Sequence, residues 1–211
     1  MSAIGNEWSR RYFDGPFYLH DAPAGRPAIS LVFVQSKDGN TVAENPADLG
    51  GGPTDLHLIY EGLSRVAADA VLAGASSVGP NTLFTIHHPA LVLLRYELGL
   101  PPHPTQIVLS KSARLDRSAR IFNTPDVRSM VIDGSEPLPE ALARLRRDHG
   151  IRRISCVGGR TTAIEAGEPH TPWYAGGRPP RLETIVRKRE VTNHLPLVFE
   201  HLAIAGAPFA R

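Results

Sequence analysis

Three short segments bring glycine together with side chains that can hold a phosphate or a substrate: SKDGNT at 36–41, GASSVGPN at 74–81 and GGRTT at 158–162. Gly158 and Gly159 let backbone amides approach an anion, and Arg160, Thr161 and Thr162 can open a helix whose positive end faces it. Gly74 offers a second close approach; in the Ala75, Ser76, Ser77, Val78 run that follows, two hydroxyls can reach phosphate or ribose. Asp38, beside Ser36 and Lys37, is the best-placed carboxylate in the chain for binding or protonating a substrate. Each segment alone has a plainer reading. Gly-Gly after a strand is common loop punctuation, Ser-Ser suits a turn or helix start, and Asp-Gly is a hairpin signal. Together they carry more weight, because each follows a short apolar run, and ligands gather outside the carboxyl ends of parallel strands.

Other chemistries lack their residues. His87 and His88 are adjacent, so they point apart and lack the i, i+4 spacing of a helical metal pair, and no metal site is expected. There is no GxSxG, HExxH or P-loop. The single cysteine, Cys156 in RRISCVGG, excludes an intrachain disulfide framework and a Cys-rich zinc site, and suits a small buried strand residue. Trp173 and Tyr174 in TPWYAGG suit ring stacking or a packed rim. A formal charge of +2, with RKR at 187–189 as its densest basic run, argues against a nucleic-acid partner. The N-terminal residues show no signal-peptide pattern and no run is long and apolar enough to span a membrane, so a soluble, cytoplasmic protein is expected.

The elements that position these segments follow from periodicity. With 211 residues, one α/β core can absorb the chain: an arm at 1–27, rich in aromatic, Gly and Pro residues without a period, then a domain at 28–211. AISLVFV at 28–34 reads as a strand covered on both faces. DLHLIYEGLSRVAA at 55–68 places Leu56, Ile59, Tyr60, Leu63 and Val66 at helical spacing, with Thr54 or Asp55 as the cap. DAVLAGASS, TQIVLS, RSMVID and RRISCVGG read as further strands. PALVLLRYELG and PLPEALARLRRDHG read as helices ending near Gly99 and Gly150. Strand and helix alternation means a mainly parallel sheet, and RLETIVRKREV with HLPLVFEHLAI adds an antiparallel hairpin to close it.

In this order, ISLVFVQSKDGNTVA, SRVAADAVLAGASSV, QIVLSKSARLD and IRRISCVGGRTTA resemble the reductase domain at the C-terminus of riboflavin-biosynthesis deaminase-reductases, a branch of the dihydrofolate-reductase-like fold. The likeness runs over about 26–163 and returns at VFEHL. It implies a three-layer α/β/α domain with a mostly parallel mixed sheet and C-terminal antiparallel strands. It also implies a homodimeric, NADPH-dependent reductase of a small heterocyclic or carbonyl substrate, with 5-amino-6-(5-phosphoribosylamino)uracil as one member of that class. By the same resemblance Gly74, Ala75, Ser76, Ser77 and Val78 line the cofactor, and Ser110 falls at the adenosine phosphate. Gly158, Gly159, Arg160 and Thr161 form the turn at the pyrophosphate, and Asp38 lies near nicotinamide and substrate, with Ser36, Lys37 and Asn81 on the substrate side.

The chain departs from that family in three places. VGPNTLFTIHHPAL carries neither a plain Asp-x-Pro nor the following Arg, Val157 stands where an acidic residue is usual, and GGRTTA runs almost directly into IEAGEPHTPWY. The last feature reads as a deletion of a helix tail and a strand after Ala163. Arg65, Arg95 and Arg114 are equivalent candidates for phosphate or substrate contact. The alternative to a working reductase is a catalytically inactive nucleotide-binding or partner-binding protein of the same fold.

Overall fold

The computed structural model describes residues 2–7, 17–19, 21–32, 53–111, 115–157, 182–192 and 195–204. Its centre is a five-stranded sheet built from β3 (Ala28–Leu31), β4 (Ala70–Gly74), β5 (Thr105–Ser110), β6 (Ser129–Asp133) and β7 (Arg153–Cys156). The order is β3-β7-β4-β5-β6 and every pairing in it is parallel. β4 and β5 lie inside this sheet and are almost wholly buried, which is why AVLAG and TQIVLS read as near-continuous apolar runs. Among the described residues β3 holds an edge position, and its residues are only half-buried, unlike the doubly covered strand that AISLVFV suggests. Of that run, 33–34 lie outside the described residues.

Alternation along the strands feeds two faces. Ala70, Leu72, Ile107, Leu109, Ile154 and Cys156 join one core cluster, into which helix α3 (Leu138–His149) inserts Leu138, Ala141, Leu142 and Leu145. The α3 helix ends at Gly150, whose positive φ of 67° lets its N–H close on the Leu145 carbonyl. Acidic Glu140 in its first turn and basic Arg146, Arg147 and His149 in its last complement the helix dipole. On the other face Val108 packs with Ala119 and with Ile121 of α2 (Arg120–Asn123). On that face, too, Ser155 donates to the Ser64 carbonyl at 3.3 Å. Helical elements on both faces of a parallel sheet make the three-layer arrangement.

The 53–68 region corrects the sequence reading. A short helical turn (Pro53–Asp55) passes into a π-helix (Leu56–Glu61), Gly62 breaks it at φ 103°, and a tight 3-10 turn (Leu63–Arg65) follows. Asp55 is helical and makes no capping bond through its side chain, and Thr54 lies buried within the helical turn rather than ahead of it. A widened turn followed by a left-handed glycine cannot keep a 3.6-residue stripe on one face. Leu63 and Val66 are therefore buried with Leu91 and Leu94 of α1 (Pro89–Glu97), while Leu56 and Tyr60 are 50% and 60% exposed.

The N-terminal residues form an antiparallel pair, β1 (Ser2–Ile4) with β2 (Phe17–Leu19). Ile4 is buried among Leu63, Val66 and Leu91, and the Asn6 amide donates to the Ala90 carbonyl at 3.0 Å. The C-terminal hairpin, β8 (Leu182–Thr192) with β9 (Leu195–Ile204), is antiparallel as its sequence suggests. Among the described residues it forms a two-stranded sheet of its own and does not close the five-stranded one. The segment around Ala163, where the sequence suggests a missing strand, lies outside the described residues.

Candidate functional site

At the carboxyl end of the sheet, Val32 follows β3 and Val157 follows β7, and both extend the parallel ladder. The Val32 N–H donates to the Cys156 carbonyl at 3.1 Å, and the Val157 N–H to Leu72 at 3.0 Å. These two residues floor one side of a cleft of about 460 Å³. Its other walls are Ile59, Tyr60 and Arg65 from the segment before β4, and Asn81, Thr82, Leu83, Phe84 and His87 from the stretch after it. The amino end of the sheet is closed off differently. There the Asp69 carboxylate accepts the Arg152 and Arg153 N–H groups at 2.8 and 2.7 Å, fixing the start of β7 beside β4.

Residues 82–87 have no regular secondary structure, so their backbone polar groups need partners from elsewhere. Fully buried Gln106 on β5 supplies two of them: its Oε1 accepts the Phe84 N–H at 2.9 Å, and its Nε2 donates to Phe84 O at 3.2 Å and Pro104 O at 2.8 Å. Buried Arg65 donates through Nε (3.1 Å) and Nη2 (2.6 Å) to the Thr85 carbonyl, and through Nη1 to Ile59 O at 2.6 Å. His103 Nδ1 accepts the Ile86 N–H at 3.4 Å, and the His87 N–H donates to Glu61 O at 3.1 Å. At its start the loop is tied by Arg120 N–H to Pro80 O at 2.9 Å and by Gly79 N–H to the Thr82 hydroxyl oxygen at 2.9 Å. An irregular segment held this way presents its side chains on a preformed wall.

The electrostatics of that wall are positive. Arg95, with no exposed surface, sits behind Arg65, and its Nη1 reaches the carbonyls of Arg65, Val66 and Ala68. Burial first, and then the Arg95 charge, push the Arg65 guanidinium down to about 10, which leaves it cationic at neutral pH. His87 is held below the ordinary histidine value by partial desolvation, then by Arg65 and Arg120, so the neutral imidazole is favoured. Its Nε2 lies 3.3 Å from the Thr85 hydroxyl, so ring tautomer and hydroxyl direction are set together.

The expected site residues are distributed as follows. Gly74 ends β4, Ala75–Ser77 form a 3-10 turn with both serine side chains exposed, and Val78 packs with Val108. Ser110 ends neighbouring β5, buried, with its carbonyl accepting the Gly134 N–H at 2.7 Å. Gly74 and Ser110 thus occupy adjacent strand ends, and Asn81 lines the cleft. Ser36, Lys37, Asp38, Gly158, Gly159, Arg160 and Thr161 lie outside the described residues, as do Arg114, Trp173 and Tyr174. The structure separates the arginines that sequence left equivalent: Arg65 lines the cleft, and Arg95 ties α1 to the 65–68 backbone. It also separates the histidine pair, since His87 faces the cleft while His88 Nδ1 accepts the Ala90 N–H at the start of α1. Gln106 had no signal in the sequence beyond being a polar residue inside a buried strand.

No family model matches the chain, and no curated protein matches it in sequence. Among solved structures, a pyrimidine reductase-like protein from Corynebacterium diphtheriae aligns with a TM-score of 0.59 at 17% identity, over 84% of this chain and 92% of its own. Two forms of RibD from Acinetobacter baumannii align with TM-scores of 0.59 and 0.56 at 14% and 15% identity. Those alignments cover 86% and 78% of this chain but 59% and 55% of RibD, so the chain spans little more than half of that protein. The five parallel strands, their helices and the cleft at their carboxyl ends give this chain the fold of the pyrimidine reductase-like protein and of RibD, the fold its sequence resembles.

Proposed function

We propose that the chain is an NADPH-dependent reductase of a small heterocyclic or carbonyl substrate, of which the phosphoribosylaminouracil reduction of riboflavin synthesis is one example. The observation that carries this reading is the preformed cleft outside the carboxyl ends of β3 and β7, on a fold shared with reductase-like proteins. The donor set suits a dinucleotide: exposed Ser76 and Ser77 hydroxyls on the turn after β4 stand next to the end of β5, where Ser110 lies. In this reading Gly74, Ala75, Ser76, Ser77, Val78 and Ser110, with Gly158, Gly159, Arg160 and Thr161, hold the cofactor. Ser36, Lys37, Asp38 and Asn81 face the substrate, and the working unit is a cytoplasmic homodimer.

The cofactor supplies the hydride, so few side chains need to do chemistry. The protein's tasks are to fix distance and exclude water. Ile59, Leu83 and Phe84 give the cleft apolar walls, and Gln106 and Arg65 fix the backbone behind them. Asp38 protonates or stabilises the reduced centre. A titration of the protein with NADPH and with NADH, followed by nicotinamide fluorescence, tests the reading. The expected result is saturable NADPH binding that a Ser77→Asp variant weakens about tenfold or more, by setting a carboxylate against phosphate. Folded wild-type protein that binds neither nucleotide would refute it and favour a partner-binding role.

A further inference from the structure

We infer that the cleft holds an anionic group of its ligand, a phosphate or a carboxylate, against the Arg65 guanidinium. Only the origin of that anion rests on the reductase reading given above. Arg65 is 4% exposed, lines the cleft, and uses three of its five N–H donors on the carbonyls of Thr85 and Ile59. Carbonyl dipoles orient a cation but do not neutralise it. Directly behind lies a second buried cation, Arg95, and among the described residues neither guanidinium has a carboxylate within ion-pair distance. The Asp69 carboxylate favours the charged form of Arg95 through space, and among the described residues no carboxylate does the same for Arg65.

A buried charge without a counter-charge is costly, and a cleft whose described walls are apolar and carry one sign of charge focuses its field on whatever enters. The facing groups are compatible with an anion. Asn81 carries an amide, and the Thr82 hydroxyl accepts from Gly79, which leaves its own proton to donate. Partial desolvation first, and then Arg65 and Arg120, hold His87 below the ordinary histidine value, so its ring reports any anion that offsets Arg65. A ligand phosphate or carboxylate supplies the counter-charge that the described residues lack.

The test is proton NMR of the histidine rings in the full chain as inorganic phosphate is added. The His87 pKa is expected to rise on saturation, with His149, exposed at the end of α3, as the unmoved control. Arg65→Gln is expected to weaken phosphate about tenfold or more, the scale of a lost charged hydrogen bond. Should that variant not fold, Asn81→Asp at an exposed position decides, because its carboxylate in the cleft weakens phosphate by a similar factor. Repeating the titration with NADPH bound finds the source: a surviving phosphate effect assigns the site to substrate, and a lost one assigns it to a cofactor phosphate. A protein that responds to phosphate but binds no NADPH keeps the anion site and loses the reductase reading. A His87 titration that phosphate leaves unmoved, or moves equally in wild type and variants, overturns the inference.

Discussion

Replacing Gln106 by Leu removes the side chain that anchors the cleft loop to the sheet while keeping the buried volume nearly constant. Three hydrogen bonds go with it, two to the Phe84 backbone and one to Pro104. At about 1 kcal/mol net for each, the variant should lose about 3 kcal/mol, and more if the Phe84 and Pro104 groups stay dry. For a chain of this size about 1 kcal/mol corresponds to roughly 2–4 °C, so the melting temperature should fall by roughly 6–12 °C. Urea unfolding gives the free energy, and amide exchange at Phe84 reports whether the loop itself has come loose. Exchange there should accelerate more than in β4, whose ladder to β5 and β7 is untouched. A variant within about 0.5 kcal/mol of wild type, with Phe84 protection unchanged, would refute the idea that Gln106 preforms the cleft wall.

Gly62→Ala should destabilise by about 1–3 kcal/mol, because an L side chain is strained at this backbone angle. Its Cβ would also stand 2.8 Å from Ile86 Cδ1, and a thermal melt reads the loss. Stability should fall as pH drops below the ordinary histidine value of 6.5. Burial and nearby guanidinium groups hold His87 and His103 below it in the folded state, so the unfolded chain binds the extra protons first. A His87→Gln/His103→Gln variant should show a flatter urea midpoint across that window, and an unchanged slope would contradict this. Asp116, Asp133, Glu136 and Asp148 are held below the usual carboxylate range, each chiefly by a hydrogen bond to a neighbouring group. They act in the same direction, but only at more acidic pH, where they begin to protonate.

The fold was legible where a single physical pattern dominated. TQIVLS and AVLAG are buried strands because little but apolar residues fills them, and PLPEALARLRRDHG is amphipathic with Gly150 past its end. The hairpin of β8 and β9 could be read from two long β-favouring runs separated by a short connection. Legibility failed between Asp55 and Val66, where apolar spacing suited one helix but a π-helix and the left-handed Gly62 redirected half the stripe to the surface. No sequence period encodes that break. Strand-end logic could place Gly74 and Ser110 at the carboxyl ends of neighbouring strands, and of the residues it named Asn81 lines the cleft on that side. Its cationic wall could not. Arg65 becomes a cleft residue only because the 3-10 turn folds it under the loop after β4, and Arg95 is equally basic in sequence yet wholly structural.

The most direct measurement is a map of backbone amide shifts as NADPH is added to the protein. The largest changes are expected at Gly74–Val78, Ser110 and Asn81. The Arg152 and Arg153 amides, held by Asp69 at the opposite end of the sheet, should stay fixed. Changes centred on that amino end, or none at saturating nucleotide, would contradict a nucleotide-dependent site at the carboxyl ends of the strands.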